Sequence, residues 1–144
     1  MPPEAAKAAR VGGLAVWGVP LMLLDSIAAA GEPARGAVVV SGSHGGASAA
    51  RYAIAVRPLL TAFNDAGVGK DDAGIAGLSM LQAAGLAALT VSHTSARIGE
   101  ACSTLEEGIV SHVNAAAAAL GARPGQRLRN LVCGADAPAA GEPT

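Results

Sequence analysis

Five short apolar runs punctuate the chain, at residues 19–25, 37–41, 58–63, 87–92 and 109–113. None of them alternates apolar and polar residues with a period of two. All are rich in Val, Leu and Ile, the pattern of strands buried on both faces of a parallel sheet. Between them lie helix-like segments at 46–56, 71–85, 95–106 and 114–121. Asp71 or Asp72 is placed to cap the second of these, and Thr94 or Ser95 the third, while Gly85 and Gly121 fall where helix C-caps are wanted. Strands alternating with helices imply βαβ units with right-handed crossovers. The expected fold is therefore α/β and three-layered, with a mostly parallel sheet of about five strands and helices on both faces.

This pattern predicts one domain over residues 1–134, whose first fifteen or so residues are flexible, followed by a disordered Ala/Pro/Gly-rich tail at 135–144. The N-terminus admits a second reading. Lys7 and Arg10 precede the run VGGLAVWGVPLMLL, and Ala28, Ala29 and Ala30 follow, which outlines a secretory signal peptide. Pro20 and Asp25 interrupt that run, which favours a buried strand instead and a cytoplasmic protein. The run is also too short and broken for a membrane span.

Composition narrows the partners. The formal net charge is -1 and the pI about 6.3, with no block of Lys and Arg. Only Trp17, Tyr52 and Phe63 could stack on bases, so a nucleic-acid partner is not expected. Alanine outnumbers every other residue, and there are 19 glycines. Such small side chains give each helix little apolar area to bury, and a core of this kind is often completed at a subunit interface. A homo-oligomer is the expectation. Cys102 and Cys133 have no metal-like spacing and read as reduced thiols.

The chemistry concentrates at the ends of the apolar runs. After the second comes SGSHGG, after the third FNDAGVGKDDAGI, and after the fourth SHTSARIGE. Ligands of open parallel sheets bind at the carboxyl ends of the strands, so these segments form one candidate crest. Three apolar runs end in or contain Ser-His, namely Ser43-His44, Ser92-His93 and Ser111-His112, and these are all the histidines.

Residues 41–45, small-x-Ser-x-small between a strand and a helix, resemble over about fifteen residues the nucleophile elbow of the α/β-hydrolases. The resemblance implies that Ser43 is a nucleophile, and the order Ser43, Asp65, His93 matches the chain order of that family's catalytic residues. The same turn has a non-covalent use: the amides of Gly45 and Gly46 and the following helix N-terminus would cradle an anion, with His44 alongside.

The second crest offers Asn64 and Asp65 at a strand end, then Lys70, Asp71 and Asp72. Asp65 is the acid–base candidate because a strand end fixes it, and Lys70 suits an anchor for a substrate carboxylate. The third crest offers His93 as a base, Ser95, and Arg97, which either pairs with Glu100 at i,i+3 or grips a carboxylate bidentately. His44, His93 and His112 have no local spacing of metal ligands, so neither a metal nor another cofactor is expected.

The sequence thus predicts a small cytosolic enzyme that acts on a small polar or carboxylated metabolite by general acid–base chemistry, as a hydrolase or a lyase/isomerase. Ser43, Asp65 and His93 would be catalytic. His44, Gly45, Gly46, Asn64, Lys70, Asp71, Ser95 and Arg97 would bind the substrate. The alternative is a non-catalytic small-ligand-binding or structural subunit of a homo-oligomer.

Overall fold

A computed structural model of the chain describes residues 9–134. Among these residues six strands form one sheet: β1 (Ala9–Leu14), β2 (Pro20–Leu24), β3 (Val38–His44), β4 (Leu60–Asn64), β5 (Ala87–Val91) and β6 (Val110–Val113). Among the described residues five α-helices accompany them: α1 (Ala47–Val56), α2 (Gly77–Ala83), α3 (Ala101–Glu107), α4 (Ala115–Ala119) and α5 (Leu128–Cys133). The strands lie in the order β1-β2-β3-β4-β5-β6. The four middle strands are parallel, and the two edge strands run antiparallel to their neighbours.

Two buried clusters explain why the runs lack alternation. Val38 and Val40 of β3, Leu21 and Leu23 of β2, and Leu89 and Val91 of β5 pack with Leu105 of α3 and Leu128 and Leu131 of α5. Val39, Met22, Leu24 and Phe63 pack instead with Ala49, Ala50 and Ala53 of α1 and Leu78 and Leu81 of α2. Successive residues of a strand enter different clusters, so both faces require apolar side chains. Each fully buried Val, Leu or Phe contributes roughly 1.5–3 kcal/mol. No helix among the described residues is long and apolar enough to cross a membrane.

The structure departs from the sequence expectations at several points. A sixth strand, β1, pairs with β2 as a hairpin, so the N-terminal apolar run is divided between two strands. Residues 1–8 and the expected tail at 135–144 lie outside the described residues. The third predicted helix begins only at Ala101, because Gly99 takes a φ of 85° and the Asp25 carboxylate at the end of β2 accepts from the Ala101 amide at 2.9 Å. Neither Thr94 nor Ser95 caps it. The second predicted helix is split into a short turn at Lys70–Asp72 and α2, and no side chain caps α2. Asp71 and Asp72 both sit at φ 57°, a left-handed conformation that ends rather than starts a helix. α5 falls in a segment with no predicted element.

Candidate functional site

Asp65 follows β4, and its amide continues the ladder by donating to the Val91 carbonyl at 2.9 Å. Its side chain turns back into the crest and is 4% exposed. One carboxylate oxygen, Oδ1, accepts from the Gly67 amide at 2.8 Å and from the His93 amide at 3.0 Å. The Gly67 bond closes a tight Asx turn, which is why Asp rather than a longer acid suits this position. His93 Nδ1 lies 3.4 Å from the same oxygen. Burial alone would push the Asp65 pKa up, but the Gly67 amide, the Ser111 hydroxyl, and the amide and ring of His93 together outweigh it and lower the pKa. The carboxylate is therefore charged at neutral pH and fixed on its imidazole partner.

His93 stands on the short turn after β5 with 56% of its side chain exposed. Its ring lies over Gly67, where a Cβ would come within 3.5 Å of ring atoms. Gly67 also takes a φ of 77°, so glycine serves there both the turn and the room for the ring. With Nδ1 facing Asp65, the half-exposed ring makes no hydrogen bond through Nε2 among the described residues. Beside it opens a cleft of about 530 Å³, walled by Asn64, Thr94, Ser95, Arg97, Ile98 and Glu107 as well as His93.

The residues of that wall divide into fixed and free. The Asn64 side chain is buried; it donates to the Ala96 carbonyl at 3.0 Å and accepts from the Ala66 amide at 2.8 Å, tying the turn after β5 to the turn after β4. Ser95 Oγ donates to the Ser92 carbonyl and accepts from the Ile109 amide, both at 2.9 Å, so it holds the loop together. Glu107 accepts from Ser103 at 2.7 Å. Arg97 is 78% exposed and reaches Glu100 only at 4.0 Å, which leaves its guanidinium able to turn to a ligand.

Ser43 is placed elsewhere. Its Oγ accepts from the Ile27 amide at 2.9 Å, and it lines a shallow depression with His44, Ser26 and Tyr52. Asp65 and His93 come together as the sequence led one to expect; Ser43 is not joined to them by any hydrogen bond among the described residues. The Gly45 amide donates to the Asn64 carbonyl at 3.0 Å and so is already engaged. The Gly45 carbonyl accepts from Gly77 at 2.8 Å. A Cβ on Gly45 would meet the Gly74 carbonyl at 2.9 Å, and one on Gly46 would meet the His44 ring at 2.9 Å. The glycines of SGSHGG thus let the backbone of β3 and the start of α1 approach the segment that leads into α2.

Lys70 is not part of either large cleft. Asp71 and Asp72 instead line a second cleft of about 600 Å³, with Gln82 of α2 and His112 of β6. Among the described residues no group of three His, Cys, Asp or Glu gathers to hold a metal ion. Nothing in the pattern of residues singles out Glu107, which the structure adds to the wall. Ser111, part of the third Ser-His pair, meets Thr90 Oγ1 at 2.9 Å and His112 Nδ1 at 3.2 Å. Comparison with protein-family models, with curated proteins and with solved structures found no match.

Proposed function

We propose that the protein is a small enzyme in which His93, oriented by Asp65, transfers protons to and from a small carboxylated or otherwise polar metabolite bound in the 530 Å³ cleft. The observation behind this reading is the Asp65–His93 pair: a buried, charged carboxylate 3.4 Å from Nδ1 of a half-exposed imidazole that lines the cleft. An imidazole held this way keeps one tautomer, presents a lone pair to the substrate, and is stabilised when it becomes an imidazolium. Arg97 supplies a planar, permanently charged fork for a substrate carboxylate. Ser43 takes no part in this scheme, so the chemistry is proton transfer to carbon or activation of water, in a lyase/isomerase or hydrolase reaction without a covalent serine intermediate. We place the sheet as the middle of three layers, and the protein in the cytoplasm as a homo-oligomer. Exposed Leu14 and Val16 at the β1–β2 turn are consistent with an apolar surface shared between copies.

The test is a panel of small hydroxy-, keto- and amino-carboxylates incubated with the protein in D2O and followed by proton NMR. The expected result is exchange or conversion of one class of substrate, lost in His93→Gln and reduced at least about tenfold in Asp65→Asn. Arg97→Met should raise the concentration needed for half-maximal rate. Unchanged exchange in His93→Gln would overturn the proposal. Binding at Thr94 and Arg97 without any turnover would favour the second reading, a small-ligand-binding subunit, which the open rim and half-exposed His93 also suit. Light scattering reads the oligomer separately: a monomeric mass at micromolar concentration would remove that part.

A further inference from the structure

The cleft beside His93 carries one charged residue that the proposed proton transfer leaves unused. Glu107 is the last residue of α3 and lines the cleft together with Arg97. A carboxylate is unfavourable at a helix C-terminus, where the last backbone carbonyls already concentrate negative charge. The last turn of α3 holds no basic residue to offset it. The neighbouring Glu106 meets Arg129 at 3.0 Å. Among the described residues no cation pairs with Glu107 in the same way.

Glu107 is nevertheless held in place. The Ser103 hydroxyl donates to its Oε1 at 2.7 Å. Ser103 is 7% exposed, and the same Oγ accepts from the Arg97 amide at 2.9 Å. One buried hydroxyl thus ties the Glu107 carboxylate to the backbone of Arg97. Oε2 of Glu107 has no hydrogen bond among the described residues, and the Arg97 guanidinium reaches only Glu100, at 4.0 Å. Two opposite charges therefore line one cleft without neutralising each other.

We infer that the ligand of this cleft is a small zwitterion, an amino-carboxylate whose carboxylate lies on Arg97 and whose ammonium lies on Glu107. A simple anion would be drawn to Arg97 but repelled by Glu107, and a simple amine would meet the reverse. A molecule with both charges satisfies both residues, and its ammonium offsets the carboxylate at the end of α3. Ile98, 54% exposed on the same wall, offers apolar contact to the rest of such a molecule. The inference rests on the proposal that this cleft holds the substrate, and it narrows that substrate to one class.

The experiment is an amide NMR titration of the full chain with free α-amino acids, each set against the α-hydroxy acid of the same skeleton and the amine that lacks the carboxylate. At least one amino acid should shift the amides of His93, Arg97 and Ile98. It should bind about tenfold more tightly than either analogue, the effect of one charge-assisted hydrogen bond at a half-open site. Glu107→Gln keeps an acceptor for Ser103 and removes only the charge, and at an exposed position it leaves the fold intact. It should erase the preference by weakening the amino acid alone, whereas Arg97→Met should weaken the amino acid and the hydroxy acid alike. Hydroxy acids that bind as tightly as their amino counterparts, a preference that survives Glu107→Gln, or no binding across the whole panel would overturn the inference. The acid–base reading fails separately. His93→Gln should lose turnover and keep the preference for amino acids, and turnover that persists in this variant would strike the acid–base pair while the Glu107 result stands.

Discussion

Replacing Asp65 with alanine tests the heart of the site through stability alone, without knowledge of a substrate. The carboxylate is 4% exposed and accepts from two backbone amides, those of Gly67 at 2.8 Å and His93 at 3.0 Å. A hydrogen bond to a charged group contributes about 1.5–3 kcal/mol. Two such bonds would give roughly 3–6 kcal/mol, and because both amides lie near the crest surface, water can replace part of what is lost. The expected cost is therefore about 3 kcal/mol, a large share of the 5–15 kcal/mol typical of a domain. Asp65→Asn, which keeps a neutral acceptor in place, should cost about half as much.

The pH dependence follows from the direction of the shift. The folded-state pKa of Asp65 lies below its unfolded value, so the carboxylate's contribution is present above the unfolded pKa, about 3.9, and is lost as pH falls through the folded value. Urea unfolding of the wild type and Asp65→Ala at pH 7, 5 and 3 is the assay. The gap between the two proteins should be constant from pH 7 to 5 and narrow by pH 3. A gap below about 1 kcal/mol at pH 7, or one that widens in acid, would refute the reasoning.

Other changes probe the frame of the site. Asn114 caps α4 and is buried, accepting from the Ala88 and Ala117 amides and donating to the Leu78 and Leu86 carbonyls; Asn114→Ala should cost at least about 3 kcal/mol in urea unfolding. Val68 sits at φ 67°, where a β-branched residue is strained; Val68→Gly should stabilise the protein by up to about 1 kcal/mol, the relief exceeding the added chain entropy, as read by Tm. Gly42→Ala would press a methyl group into the backbone of Gly99 and Glu100 and should destabilise by about 1–3 kcal/mol while shifting the amide NMR signals of the 97–101 loop.

Much of the sheet could be read from the sequence because burial on both faces leaves so plain a mark. Val38, Val39 and Val40, which serve two clusters in turn, form a run that only a doubly covered strand requires. β1 escaped because its glycines and Arg10 weaken that mark, and an edge strand needs burial on fewer sides. Helix starts were misplaced where a distant residue set them: Asp25 lies 76 residues from the Ala101 amide that it caps. At the crest, Asp65 and His93 were legible because both directly follow strands that proved adjacent. Ser43 had the same credentials, yet the Ile27 amide claims its hydroxyl. SGSHGG looked chemical because glycine-rich turns serve ligands and close backbone packing alike, and only the neighbouring chain segment separates the two uses.

The glycine contacts around the crest have a consequence for how the protein can change over generations. Gly42 abuts the 99–100 backbone, Gly74 the Asp65 carbonyl, and Gly77 the carbonyls of Gly45 and Gly46. At each of these seams any side chain must displace main chain, so the positions admit almost no substitutions. The rim is different, because Thr94, Arg97 and Ile98 reach the cleft from an exposed loop, and the side-chain partners of Thr94 and Arg97 are their own loop neighbours Ser92 and Glu100. Inheritance is thus split in two. The scaffold that aligns Asp65 with His93 is locked into the backbone, while the rim residues are open to drift, and under the function proposed above lineages descended from this chain could exchange one substrate for another without rebuilding the pair.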